Sequence, residues 1–186
     1  MKWKDGLKQQ IIISGVGGQG VLFVTRLLAE AAIQKGMPVM TSETHGMAQR
    51  GGTVISHLKV GDFSSVLIRS RQADGLLALK KENILQHGHY LKESGWSIVN
   101  CSDSKPMETG KSVDGVDADR LAIENQAPRS VNLILLGYAL KFRGYLFCDV
   151  SDIKTVLANR FSKREELLKG ALDALAVGYQ ATGTNC

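Results

Sequence analysis

Residues 10–42 read QIIISGVGGQGVLFVTRLLAEAAIQKGMPVMTS, and this stretch decides the fold. Residues 10–14 form a short continuous apolar run, the pattern of a strand buried on both faces. The turn GVGGQG follows at 15–20. Beyond it Val21, Val24, Leu27, Leu28, Ala31 and Ala32 recur at helical spacing. Gly36 suits the left-handed position that ends a helix. Pro38 cannot continue that helix, and residues 38–42 read as a second strand. The order is strand, glycine turn, helix, strand: a βαβ unit.

Outward from this unit the chain keeps alternating. Residues 53–60, TVISHLKV, place Val54, Ser56, Leu58 and Val60 on one face and Ile55, His57 and Lys59 on the other. That predicts a strand either half exposed or at a sheet edge, where it would run antiparallel. Strands are expected over 73–79 and 96–100, with a polar helix over 80–93 between them. Residues 102–117 hold Pro106 and Gly110 and read as a surface excursion, a hairpin ending in SVDGVD. Helices are expected over 117–125, 130–142 (N-cap Ser130), 151–161 (cap Ser151) and from Ser162 onward, with Glu165 closing a capping box. The predicted fold is α/β: one three-layer Rossmann-like domain over 1–186, its sheet mainly parallel, with helices on both faces.

Composition excludes several function classes. The chain has 186 residues, 44% of them hydrophobic and 22% charged, with a net charge of +5. Mean hydropathy is −0.05, so a substantial core can form. Aromatics make up only 6% and do not interleave with basic runs, so no nucleic-acid platform is expected. No apolar stretch reaches membrane-spanning length and residues 1–10 lack an apolar signal core, which predicts a cytoplasmic protein without membrane contact. The three cysteines, Cys101, Cys148 and Cys186, have no metal-ligand spacing. Reduced thiols and no metal site are expected. Glycine is in excess, 20 against 3 prolines, and eight of the glycines fall within 15–52.

Two glycine-rich segments carry the candidate chemistry. Gly15, Gly17 and Gly20 fit G-x-G-x-x-G between a strand and a helix, where bare backbone approaches a phosphate at the helix N-terminus. Glu43 falls roughly where a ribose-binding carboxylate stands in a dinucleotide fold. The second segment, SETHGMAQRGG at 42–52, offers Glu43, Thr44, His45, Gln49 and Arg50 on a loop bent by Gly46, Gly51 and Gly52. Loops at the carboxyl ends of parallel strands are where open α/β sheets bind ligands. Arg50 can fork onto a carboxylate or phosphate. The other histidines, His57, His87 and His89, fall in unrelated settings and read as structural or solvated. Nothing in the chain pairs a general acid/base with a polarising residue in an obvious way, and a stand-alone nucleotide-binding module of regulatory or redox-sensing role is one reading of these residues.

GVGGQGV at 15–21, SETHGMAQRGG at 42–52 and VISHLKVG at 54–61 together resemble the gamma subunit or domain of 2-oxoacid:ferredoxin oxidoreductases. ADGLLAL at 73–79, NLILLGYAL from Asn132 and ALAVGY at 174–179 extend the resemblance over nearly the whole chain. The family acts on pyruvate, 2-oxoglutarate, branched-chain 2-oxoacids or indolepyruvate. The resemblance implies a subunit inactive alone, with no catalytic residues and no cofactor bound by this chain alone. Thiamine diphosphate is implied on partner alpha/beta subunits and iron–sulfur clusters on a partner or ferredoxin-like subunit. The assembled enzyme oxidatively decarboxylates a 2-oxoacid, usually forms an acyl-coenzyme A, and reduces ferredoxin. The resemblance implies that this chain packs on the thiamine-binding subunits and helps shape the coenzyme A or substrate site, with coenzyme A as co-substrate. The residues carried over as cofactor-binding or partner-facing are Gly15, Gly17, Gly18, Gln19, Gly20, Glu43, Thr44, His45, Gln49, Arg50, Gly51 and Gly52. A contact face rich in glycine implies self-association of the isolated chain. One departure is Ala171, where such domains often carry Asn.

Overall fold

The computed structural model describes residues 6–45, 52–102 and 113–185. Seven strands form one sheet in the order β2-β3-β1-β4-β5-β6-β7. They are β1 Gln9–Val16, β2 Val39–His45, β3 Thr53–Val60, β4 Ala73–Ala78, β5 Leu91–Asn100, β6 Asp114–Val116 and β7 Thr184–Asn185. Strands β1, β4, β5 and β6 pair in parallel, and β2 runs with them because it pairs antiparallel to β3, itself antiparallel to β1. Five of the seven strands thus share one direction, as the mainly parallel reading requires.

Ile11, Ile12 and Ile13 of β1 are all fully buried, which explains the unbroken apolar run. Each such side chain contributes about 1.5–3 kcal/mol of burial free energy. Five helices cover the face that Ile11 and Ile13 point to: α1 Val21–Gln34, α3 Ala118–Glu124, α4 Val131–Leu140, α5 Val150–Arg160 and α6 Glu165–Gln180. The Ile12 face is covered by one short helix, α2 Glu82–His87, a following 3-10 turn Gly88–Tyr90, and the connection over 61–72 that carries Ile68. Helices lie on both faces, but very unequally.

Several expectations are corrected. Strand β3 is not at an edge: it lies between β2 and β1, and seven of its eight residues are buried. Its polar face is sealed because the 61–72 connection folds over His57 and Lys59. Strand β2 continues through His45, so Glu43, Thr44 and His45 are paired strand residues rather than loop. The helix expected over 80–93 ends at His87, and β5 already starts at Leu91. The hairpin expected within 102–117 lies mostly outside the described residues; at its end, β6 pairs parallel to β5. The cap of α5 is Asp149, whose carboxylate accepts from the Ser151 and Asp152 amides in a reciprocal box with Asp152. The N-cap is the residue whose backbone is still extended as the helix begins, and here that residue is Asp149. Ser162 does not cap α6, whose N-cap is Arg164 without a side-chain bond. Ser130 is the N-cap of α4 by position only. Cys148 is a buried free thiol whose ionisation burial suppresses, whereas Cys101 is disulfide-bonded, against the expectation of reduced thiols.

Candidate functional site

The carboxyl edge of the sheet carries the first glycine segment as read from the sequence. Gly18 and Gly20 adopt φ of +91° and +83°, a region that costs other L-residues roughly 1–2 kcal/mol. Gly15 is required by space, since a Cβ there would lie 2.8 Å from Val21 Cγ2 and 3.1 Å from Leu79 Cβ. Gln19 closes the turn: its Oε1 accepts the Val16 amide at 2.7 Å, and its Nε2 reaches the Leu79 carbonyl at 3.5 Å. Gln19 therefore acts on the loop's own backbone and ties β1 to the end of β4.

The two glycine segments meet. The Gly17 amide donates to the Gly52 carbonyl at 3.1 Å. The contact follows from topology, because antiparallel β3 starts where β1 ends, with Val16 opposite Thr53. Glu43 and Thr44 do not join this centre. They sit on edge strand β2, on opposite faces of the sheet, two strands away from β1. At about 4.8 Å per strand spacing, the one inserted strand displaces Glu43 by roughly 5 Å sideways from the place of a ribose-binding acid. The interposed β3 removes the geometry of a dinucleotide fold. His45 ends β2, and its side chain lies outside the described set, as do Gln49, Arg50 and Gly51 altogether.

A cavity of about 390 Å³ opens beside the turn, lined by Gly17, Gly18, Gly20, Phe23, Arg26 and Arg160 among others. The N-terminus of the 14-residue α1 brings partial positive charge to it. Arg26 and Arg160 add full charges. Arg160 is held in place by Glu30 and lies over the Phe23 ring at 5.5 Å. The Lys35–Asp152 ion pair at 2.7 Å also fastens α5 to α1. Phe23 and Arg160 line a second opening of about 530 Å³ with Phe161, Lys163 and Arg164. The chemistry is that of an anion-binding trough with one aromatic wall. Neither arginine was singled out from the sequence. The available signal was Arg26 at the sixth position of a helix that starts on a glycine turn; Arg160 arrives only by tertiary packing.

Asn132 was also missed as a support residue. It is buried at the start of α4, with its Nδ2 3.5 Å from the Gly20 carbonyl. A Cβ on Gly20 would lie 2.1 Å from that nitrogen. Among the described residues no group of three or more His, Cys, Asp or Glu side chains could hold a metal ion. No helix among them is long and apolar enough to cross a membrane.

Comparison with known proteins gives a consistent result. Residues 10–181 match the family described as pyruvate ferredoxin/flavodoxin oxidoreductase. The indolepyruvate oxidoreductase subunit IorB of Archaeoglobus fulgidus is 40% identical over 94 residues, half of this chain and 47% of that protein. The subunit of the same name from Thermococcus kodakarensis is 28% identical over 193 residues, covering 92% of this chain and 94% of that protein. Among solved structures, the 2-oxoglutarate:ferredoxin oxidoreductase of Magnetococcus marinus, with 2-oxoglutarate, coenzyme A and succinyl-CoA bound, superposes with a TM-score of 0.75. At 24% identity it shares the fold, over 97% of this chain but only 32% of the larger one.

Proposed function

This chain belongs to the pyruvate ferredoxin/flavodoxin oxidoreductase family, and from that premise we propose that it is the non-autonomous gamma-type subunit of a thiamine-dependent 2-oxoacid:ferredoxin oxidoreductase. Its partners are thiamine-binding alpha/beta subunits and a ferredoxin-like subunit. They supply the thiamine diphosphate, the iron–sulfur clusters and the bond-breaking chemistry, and ferredoxin takes the electrons of the complex. Near-complete coverage of a protein named as a subunit supports this reading. The stand-alone nucleotide module loses its support with the displaced Glu43.

Within the complex, the chain's own task is to build one wall of the coenzyme A site. The carrying observation is the junction of the two glycine segments, Gly17 amide to Gly52 carbonyl, beside a cavity flanked by Arg26 and Arg160. Bare backbone lets a diphosphate approach, and the arginines match its charge. Arg26 is the exposed cation whose loss leaves the packing intact. In the assembled enzyme Arg26→Ala should raise the KM for coenzyme A roughly tenfold or more, the loss of one charge-assisted contact, with kcat little changed. An unchanged KM removes this cavity from the site. Calorimetry on the isolated chain adds a second check: micromolar binding of NAD, NADP or FAD would favour the stand-alone module instead.

A further inference from the structure

The sheet face opposite the five helices carries a histidine cluster that the oxidoreductase role does not use. His57 comes from β3, His87 from the end of α2 and His89 from the 3-10 turn. All three pack on Tyr90, with ring centroids at 5.5, 6.4 and 4.2 Å from it. His57 is 3% exposed. Its Nδ1 accepts the Ile68 amide at 3.2 Å. A nitrogen that accepts carries no proton, so this bond exists only with the ring neutral. His87 Nδ1 lies 2.9 Å from Ser14 Oγ on β1. Ser70 Oγ and the Arg71 amide both donate to the His89 carbonyl at 3.0 Å. These bonds fasten the 61–72 connection to β3 on one side and to the 3-10 turn on the other.

Burial and the nearby charges oppose protonation of His57 and His87. Lys59, itself 5% exposed, shares the face from β3, and Arg69 approaches it from the connection. The α2 segment supplies His87, His89 and Tyr90. On this face β1 presents Ile12 and Ser14, and β2 presents Ser42 and Thr44, none of them charged. No carboxylate among the described residues acts on the His57 or His87 ring. Burial first, and then Lys59, hold the His57 pKa below its ordinary value. Burial, His89 and His57 do the same for His87.

We propose that His57, with His87 and Tyr90, is a pH-operated latch: neutral, it holds the 61–72 connection and the 82–90 segment on the sheet, and protonated it releases them while the helix-side core stays folded. The sign follows from linkage. A histidine depressed in the closed form makes the open form bind more protons, so the latch is complete above about pH 6.5 and weakens as pH falls through the closed-state pKa. Release displaces an apolar strip, because exposed Val66, Leu67 and Leu85 ride on the two latched segments.

Hydrogen exchange of the full chain from about pH 8 to about pH 5, corrected for intrinsic rates, tests the latch across the range in which histidine titrates. Amides of 61–72 and 82–90 should lose protection on acidification, roughly tenfold for each unit by which the His57 pKa is depressed, while α1 and α4 keep theirs. His57→Asn keeps an acceptor near the Nδ1 position but cannot take the proton, so its 61–72 peptides should show no such pH response. Flat protection in the wild type, simultaneous loss in α1 and α4, or a wild-type response in His57→Asn each overturns the latch. Should His57→Asn not fold, imidazole NMR on the wild type decides. His57 must titrate below about pH 6.5, and an ordinary titration contradicts the proposal.

Discussion

Gly20 shows how much a single residue can be asked to do. Its φ of +83° already disfavours any side chain, and the place a Cβ would occupy lies 2.1 Å from Asn132 Nδ2. Gly18 has a φ of +91° but nothing within 4 Å. The two therefore separate backbone strain from steric conflict. Gly18→Ala should cost about 1 kcal/mol in urea unfolding, the conformational penalty alone. Gly20→Ala should cost distinctly more, about 2–4 kcal/mol, because the buried Asn132 side chain must move as well. Equal costs at the two positions would show that Asn132 yields without resistance. The need for glycine at 15 and 20 was legible in the sequence from the G-x-G-x-x-G spacing, whereas Gly18 falls at a free position of that pattern. The contact with Asn132 was not, since the partner is 112 positions away and no periodicity links them. Arg160 was hidden for the same reason. It reaches the turn only because Glu30 and Phe23 on α1 hold it there.

Elements were legible where local pattern and tertiary demand agree. Strand β1, helix α1 and its Gly36 stop appear as read, the stop confirmed by φ of +73° and by the Met37 amide bonding to the Ala32 carbonyl. Strand β3 was misplaced because alternation reports two unlike faces, not water on one of them. Its polar face carries His57 and Lys59, and a distant connection buries both. Helix α4 was visible as an apolar run, but its partner was not. Gly178 on α6 and Gly137 on α4 let the two helices touch backbone to backbone. A Cβ on Gly178 would lie 1.9 Å from the Ile134 carbonyl oxygen, and one on Gly137 2.2 Å from that of Leu175. Gly178→Ala should thus destabilise by about 3 kcal/mol or more despite the better helix propensity of alanine, read as a fall in the urea midpoint. A stabilised variant would mean the helices part freely. The Asp149 cap is a milder case: Asp149→Ala should cost about 1 kcal/mol. Hydrogen bonds from Ser151 and Asp152 depress the Asp149 pKa, so its contribution is present above the ordinary carboxylate pKa and fades as pH falls through the depressed value.

On the scale of the whole molecule, the decisive feature is asymmetry. Five helices dress one face of the sheet, while the glycine junction and its arginine-flanked cavity open at the carboxyl edge. What this chain presents at that edge is bare glycine backbone and cationic side chains. Family membership was legible in the sequence because two glycine segments occur together at a fixed separation. Their physical union was not, because it depends on β3 folding back between β2 and β1. The reading as an autonomous nucleotide module loses its ribose-binding acid to that same inserted strand. The most direct test is viologen-dye reduction with 2-oxoacid and coenzyme A, using the purified chain alone and then the chain coexpressed with thiamine-binding and ferredoxin-like subunits. The expected result is no turnover by the chain alone and turnover by the assembly. Sustained turnover by the purified chain by itself would contradict the account.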